Sequence, residues 1–395
     1  MSERSSAVVS EVRKAALAMA REIAETADEI EREKHLPSRI VESLKRAGIF
    51  GMAMPVSWGG PELDLPEQLR VVEVLSRSDG SVGWCALTGS IAGYASSWIE
   101  EGAARKLFRD VNAACAGSLL FAGKAERVEG GYRVNGRWPF NSGCQHAKVF
   151  VLTCHVIEKN GNRLLRSEGT PEMRLCYLPS SQIRILDTWE STGLRGTGSH
   201  DVEVDDVFVP ERCAARFPDI RSHRPGPLYV HPGPAAYVLP AVALGIARHA
   251  IDAFVSIANH REITIAGLSG KKALLRESPH AQVAVSRAEG LVRSARSFVY
   301  DAANEVWDAL TRDRKLSREL RAMSVIAVTN AHRSCVKAVD LLYKANGGSS
   351  VYAHCPLDRC FRDIHTVDQH HFSSIAFDEK AGRVLLGLES VDEMF

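Results

Sequence analysis

The 395-residue chain is predicted to be an α+β protein, mostly α, with an N-terminal helical domain (1–112), a central β-domain (113–217) and a C-terminal helical bundle (218–395). Three observations carry this expectation. Apolar residues recur three or four apart through the first hundred or so positions, the period of amphipathic helices. From about residue 113 to 217 the period falls to two, the alternation of strands. Long, mostly apolar helical patterns resume after 222–234, where four prolines and two glycines give the composition of a linker or ordered loop.

Taken in order, residues 6–34 place Val8, Val12, Ala15, Met19, Ile23, Ala27 and Ile30 on one face, between Arg, Lys and Glu. Pro37 suits a first helical turn, and Ile40, Val41 and Leu44 continue the period to a stop at Gly48. After the loop MPVSWGG (54–60), Pro66 opens a helix carrying Leu69, Val72 and Leu75. Residues 81–99 are so rich in small and apolar types that they read as a buried central helix. Strand-like runs follow at 114–120, 125–129, 132–134, 149–153, 174–178, 183–186 and 202–209. Gly130-Gly131 and Asn135-Gly136 are both two-residue turn signals, so consecutive tight hairpins, a β-meander, are expected there. The polar stretch 158–172 reads as an exposed loop. Helical patterns at 235–260, 278–311 and 317–345 predict a four-helix bundle closed by the C-terminal segment.

With 45% apolar and 25% charged residues the composition is globular, and the chain can bury a sizeable core. Lysine plus arginine (49) nearly cancels aspartate plus glutamate (48), so the chain lacks the basic field that nucleic-acid binding needs. Charges interrupt the apolar positions of the N-terminus, which argues against a signal peptide, and no run is expected to span a membrane. A cytoplasmic protein is expected. Nine cysteines without a CxxC pair fit reduced thiols, Cys355 and Cys360 included.

The stretch 131–152, GYRVNGRWPFNSGCQHAKVFVL, is the first candidate site. Trp138, Phe140, Asn141 and Ser142 offer two aromatics, an amide and a hydroxyl just before an apolar strand. Aromatic faces suit a flat ring, and one hydroxyl can satisfy a polar ring atom that would otherwise be buried alone. An ordinary hairpin with a Trp and a Phe in its core accounts for the segment equally well. The glycine-rich TGLRGTGS (192–199) lacks the strand-then-helix setting of a phosphate loop and reads as a turn. Arg261 by itself reads as a solvated charge. In RDIHTVDQHH (362–371), Asp363, His365, Asp368, His370 and His371 could supply a two-histidine, one-carboxylate metal set, but the spacing matches no metal motif and no metal is assigned.

These segments, with the strand DVEVDDVFVP (201–210) and Gly347-Gly348, lie in order along nearly the whole chain. Together they resemble the acyl-CoA dehydrogenase superfamily, and more closely its two-component flavin-dependent monooxygenase branch, the aromatic hydroxylases. The resemblance implies an enzyme that takes reduced flavin from a separate NAD(P)H-dependent reductase and uses O2 to hydroxylate an aromatic, phenolic small molecule through a flavin hydroperoxide. A homotetramer is implied as well. By the same resemblance Trp138, Phe140, Asn141, Ser142, Arg261, Gly347 and Gly348 bind the flavin. Ser142 would sit against the ring nitrogen whose deprotonation collapses the hydroperoxide, and Arg261 would reach a flavin phosphate across a subunit interface. His370, eight residues after Arg362, would act as the base that takes a phenolic proton.

Two departures matter. The branch often carries a substrate-facing histidine after the Gly-Trp pair, here Gly83-Trp84, whereas this chain has Ala92; Trp84, Ser90 and Tyr94 are left as pocket candidates. Lys344 stands where FAD-dependent dehydrogenases tend to have glutamine, which points to reduced FMN, with FAD open. An N- or S-oxygenase of the same fold is a rival that nothing in the sequence excludes. An acyl-CoA dehydrogenase needs a carboxylate base after the Arg-Asp pair, and the next glutamate is Glu379. A non-catalytic flavin-fold scaffold is argued against by Ser142, Arg261 and His370.

Overall fold

The computed structural model describes residues 3–158, 161–230, 234–264 and 272–388. The N-terminal helices are α1 (Glu3–Glu33), α2 (Ser38–Arg46), α3 (Leu65–Ser78), α4 (Gly80–Ala95) and α5 (Glu101–Leu107). Side-chain caps open two of them: the Asp64 carboxylate accepts the Glu67 N–H at 2.8 Å at the start of α3, and Asp79 accepts the Val82 N–H at 2.9 Å at the start of α4. Pro37 sits at the N-cap of α2 rather than in its first turn.

The middle of the chain supplies β1 (Cys115–Val128), β2 (Gly131–Trp138), β3 (Val149–Ile157), β4 (Met173–Pro179), β5 (Arg184–Leu186), β6 (Asp201–Pro210) and β7 (Ala214–Phe217). They form one seven-stranded sheet in the order β5-β6-β2-β1-β3-β4-β7, antiparallel except for β1 beside β3. The expected pair of tight hairpins is corrected to one. Gly130 turns β1 into β2, but Asn135 and Gly136 lie inside β2, which pairs with β1 and with β6 around an irregularity between Val134 and Gly136. The reason is a side chain. Gly136 faces Gly123 across the ladder, and a Cβ on Gly123 would stand 1.9 Å from the Trp138 ring, one on Gly136 2.9 Å. The two glycines make the slot that holds the indole.

Strand β3 is buried along its whole length, which explains its near-continuous apolar sequence. One face of the sheet packs Val149, Val151, Leu175 and Tyr177 against Ala92 and Ala95 of α4 and Ala103 of α5. There the Tyr177 hydroxyl donates to the Ala95 carbonyl at 2.8 Å.

The C-terminal part comprises α6 (Pro234–Val238), α7 (Pro240–His260), the hairpin β8 (Glu262–Thr264) and β9 (Lys272–Leu274), then α8 (Pro279–Arg312), α9 (Arg318–Asn346), α10 (Pro356–Asp368) and α11 (Ile375–Leu385). Against the sequence expectation, residues 236–260 are long and apolar enough to cross a membrane; 72% of the most apolar window is buried inside the protein, so that composition serves the core. Helix α7 lies against α3 so closely that a Cβ on Gly245 would stand 2.7 Å from the Glu73 carbonyl oxygen. Val12, Ile23, Leu69 and Val72 join Ile246, Phe254, Val339 and Ile364 in one apolar cluster. N- and C-terminal helices therefore share a single core, and the sheet keeps a separate interior around Tyr132, Trp138, Phe150 and Leu152. All nine cysteines are unpaired, and only Cys213 is not fully buried.

Candidate active site

Helix α4, the turn after β2, the TGLRGTGS turn and the end of α10 meet at one place. Trp84 of α4 donates its indole N–H to Ser142 Oγ at 2.9 Å, and its ring stands edge-on to the His370 imidazole, centroids 5.5 Å apart. Three residues remote in sequence are thus brought together. Ser142 Oγ lies 2.7 Å from Ser199 Oγ, Ser199 Oγ lies 2.7 Å from Thr197 Oγ1, and Thr197 Oγ1 donates to the Leu194 carbonyl at 2.8 Å. In the sequence 192–199 reads as a turn, which the family resemblance sets close to the active site, and none of its side chains is given a role. The signal passed over was a pair of hydroxyls two positions apart, which in this turn fall on one side.

Asn141 is fully buried and pins the turn: its amide nitrogen donates to the Trp138 carbonyl at 2.7 Å and its backbone N–H to the His200 carbonyl at 3.1 Å. Its Oδ1 is buried with no partner among the described residues. Phe140 takes a positive φ of 61°, uncommon for a bulky residue, and is 60% exposed beside Trp189. Trp138, expected at the ligand, is corrected to a core residue. It is wholly buried, and its indole N–H donates to the Thr153 carbonyl at 2.8 Å.

Of the pocket candidates only Trp84 reaches this place. Ser90 donates to the Leu87 carbonyl of its own helix at 2.8 Å, and Tyr94 donates to Gln68 Oε1 of α3 at 2.9 Å; both are buried in the helical core.

His370 lies between Trp84 and Phe372, whose ring centroid is 5.4 Å away. Its Nδ1 accepts the Phe372 backbone N–H at 3.4 Å, so in the neutral ring the hydrogen is on Nε2. Burial, and then the neighbouring His371, push its pKa down to about 4. Beneath it His332 of α9 is buried with Nδ1 against the Ser373 hydroxyl, and burial followed by the charge of His370 pushes it down to about 3. The residues of the conceivable metal set turn to different partners. His365 meets Asp340 at 3.0 Å, Asp363 accepts the Leu194 N–H at 2.6 Å, and His371 stands edge-on to Phe377 at 5.0 Å. Among the described residues no group of three or more His, Cys, Asp or Glu could hold a metal ion. Burial, and then nearby Asp79, push Asp363 up to about 7.

A second cluster forms where α7 ends. Arg261 Nη1 donates to the carbonyl oxygen of Asn346 and, at 2.7 Å, to its Oδ1. Gly347 and Gly348 follow directly, and a Cβ built on either meets nothing within 4 Å. A guanidinium anchored through one nitrogen, beside two residues without side chains, fits an approaching phosphate. An accepting hydroxyl with Trp84, His370 and the exposed Phe140 around it fits a flat ring. The residues present therefore suit a flavin nucleotide.

Residues 2–101 match the acyl-CoA dehydrogenase N-terminal domain and residues 237–375 the corresponding C-terminal domain. With this fold and site, the chain belongs to the flavin-dependent monooxygenase branch of the acyl-CoA dehydrogenase family; it is an oxidoreductase that uses reduced flavin. It is 31% identical to indole-3-acetate monooxygenase of Pseudomonas putida over 91% of this chain and 89% of that one. It is 28% identical to the oxygenase component of an FADH2-dependent resorcinol hydroxylase of Rhizobium sp., over 92% of this chain and 91% of that one. Among solved structures, XiaF from Streptomyces sp. in complex with FADH2 and glycerol superposes with a TM-score of 0.88 at 26% identity, covering 98% of each chain.

Proposed function

We propose that this enzyme is the oxygenase component of a two-component system, hydroxylating an aromatic small molecule with O2 and reduced flavin delivered by a separate NAD(P)H-dependent reductase. The observation that carries the reading is the meeting of Trp84, Ser142 and His370. Reduced flavin supplies the electrons that activate O2. Ser142 Oγ would offer a lone pair to the bound ring and would hold a proton there, which would keep the electrons from being lost as hydrogen peroxide. Trp84 and Phe372 wall the space beside His370 with aromatic faces and keep water out.

His370 touches the substrate, and its role departs from that of a base. Burial, and then the neighbouring His371, hold the imidazole well below its usual value, which disfavours its uptake of a phenolic proton. The Phe372 N–H already occupies Nδ1. His370 therefore acts by donating its Nε2–H to a polar atom of the substrate.

Arg261 would reach the flavin phosphate of a neighbouring subunit, the role that the resemblance implies. Lys344 is exposed one turn before Gly347, with no glutamine amide there for an adenine, so FMN is the flavin inferred. Ile375 and Leu386 are 84% and 80% exposed on the C-terminal face, and we assign that face to contacts between copies in a homotetramer.

The test is to supply the protein with reduced FMN or FADH2, 18O2 and a panel holding an indole and a phenol. Incorporation of one 18O atom into an aromatic carbon is the expected result. Label on nitrogen or sulfur only would overturn aromatic hydroxylation, and tighter anaerobic binding of FADH2 by more than about tenfold, roughly 1.4 kcal/mol, would overturn FMN.

A further inference from the structure

The hydroxyl chain at Ser142 has only one possible direction. The Leu194 carbonyl oxygen can only accept, so the 2.8 Å contact uses the single hydrogen of Thr197. At 2.7 Å Ser199 must then donate to Thr197, which uses its hydrogen in turn. At the next 2.7 Å contact Ser142 must therefore donate to Ser199. The Trp84 indole, a donor only, fills one of the two lone pairs on Ser142 Oγ at 2.9 Å. Donation runs Trp84, Ser142, Ser199, Thr197, Leu194, from α4 into the TGLRGTGS turn. Ser142, at 8% exposure the chain's outermost hydroxyl, is left with one lone pair and no hydrogen to offer a ligand.

We propose that Ser199 and Thr197 are positioning residues that make the site select the reduced over the oxidised flavin, by holding the Ser142 hydroxyl as an acceptor. This rests on the reading that Ser142 faces the reactive ring nitrogen. That nitrogen carries a hydrogen in reduced flavin and a bare lone pair in oxidised flavin. Against the fixed acceptor, the reduced ring makes a hydrogen bond, whereas the oxidised ring sets lone pair against lone pair and leaves both unpaired. An oxygenase fed by a separate reductase has to do this: it must capture the reduced carrier and let the oxidised one go. Nothing moves during the selection. The terminal acceptor is a backbone carbonyl held by the turn, with the Leu194 N–H anchored on Asp363 at 2.6 Å, so the polarity is set by the fold.

The full-length protein is titrated anaerobically with reduced FMN and aerobically with oxidised FMN, and the ratio of the two dissociation constants is the readout. In Ser199→Ala the Ser142 hydrogen loses its acceptor and is free to meet a ligand. Oxidised FMN should then bind more tightly and reduced FMN more weakly, lowering the selectivity by about three- to tenfold. Thr197→Val should do the same by a different route, since Ser199 is then left to donate back to Ser142. Ser199→Thr, which keeps the hydroxyl, should restore the parent ratio. Ser142→Ala separates the two layers of the argument. If it leaves the ratio unchanged, Ser142 is not at the ring, and both the site reading and this inference fall. If Ser142→Ala lowers the ratio while Ser199→Ala and Thr197→Val leave it at the parent value, the site reading stands and the chain's role is overturned.

Discussion

Replacing Ser142 by alanine deletes one hydrogen-bond acceptor, worth on the order of 1 kcal/mol, so reduced flavin should still bind within about tenfold of the parent affinity. The expected defect is in coupling. More hydrogen peroxide and less hydroxylated product should appear per flavin oxidised, and a peroxide assay run beside product quantification checks it. His370 calls for two substitutions because the donor and base roles diverge in them. His370→Gln keeps an N–H donor and cannot take a proton, so it should retain turnover within about tenfold, whereas His370→Ala should lose about 10²-fold. Equal loss in both would restore the base reading. Because burial and the neighbouring His371 hold His370 near 4, its protonation should leave no inflection in the pH profile of turnover near 6.5. At the level of single residues, Ser142 and His370 were singled out by the family resemblance, and the fold brings both to Trp84. Trp138, Ser90 and Tyr94 were misassigned because a motif fixes position along the chain, and not the side of an element that faces a ligand.

At the scale of elements, the turn at 192–199 is held against α10 by backbone as much as by side chains. A Cβ on Gly193 would stand 2.1 Å from the Arg362 carbonyl oxygen, and one on Gly196 2.1 Å from Ile30 of α1. Gly193→Ala should therefore force the turn off α10, costing about 1–3 kcal/mol of stability and disturbing the hydroxyl chain. A lower thermal midpoint together with greater peroxide release is the expected pair of results; a lower midpoint with parent coupling would detach the turn from the site. The helices themselves could be read from sequence because their apolar period and caps are local. Asn135-Gly136 could not, since Gly136 is required by Trp138 two residues on and by Gly123 across the sheet, and only the fold supplies that pairing. The rotation of α4 was also hidden: it is apolar on nearly every side, so no periodic stripe marks which face meets Ser142.

At the scale of the molecule, buried titrating groups shape stability against pH. Burial holds His146 and His370 near 4 and His332 near 3, all below the ordinary value of about 6.5. Their folded pKa values are depressed, so the unfolded chain binds more protons as pH falls from about 6.5 towards 4, and stability drops through that window. Asp363, raised to about 7, works the other way, its contribution fading as pH rises from about 4 to 7. Burial lowers His155 and His200 as well and raises Asp79 and Asp368, so five depressed histidines stand against three raised carboxyls, and the thermal midpoint should climb from pH 4 to about 6.5. A scan of His332→Gln should climb less steeply, and a parent midpoint that fell over that range would contradict the assignment. The single core shared by the first and last helices carries a consequence for how the protein is made. Helix α3 leaves the ribosome long before α7, against which it packs. Until then only α1 and α4 cover α3, the part of its apolar face that meets α7 has no partner, and the growing chain exposes that surface in a way that a protein built of successive independent domains does not. A chain ended at residue 230 should accordingly aggregate when expressed alone, and remain soluble when the segment from residue 231 onward is supplied in the same cell.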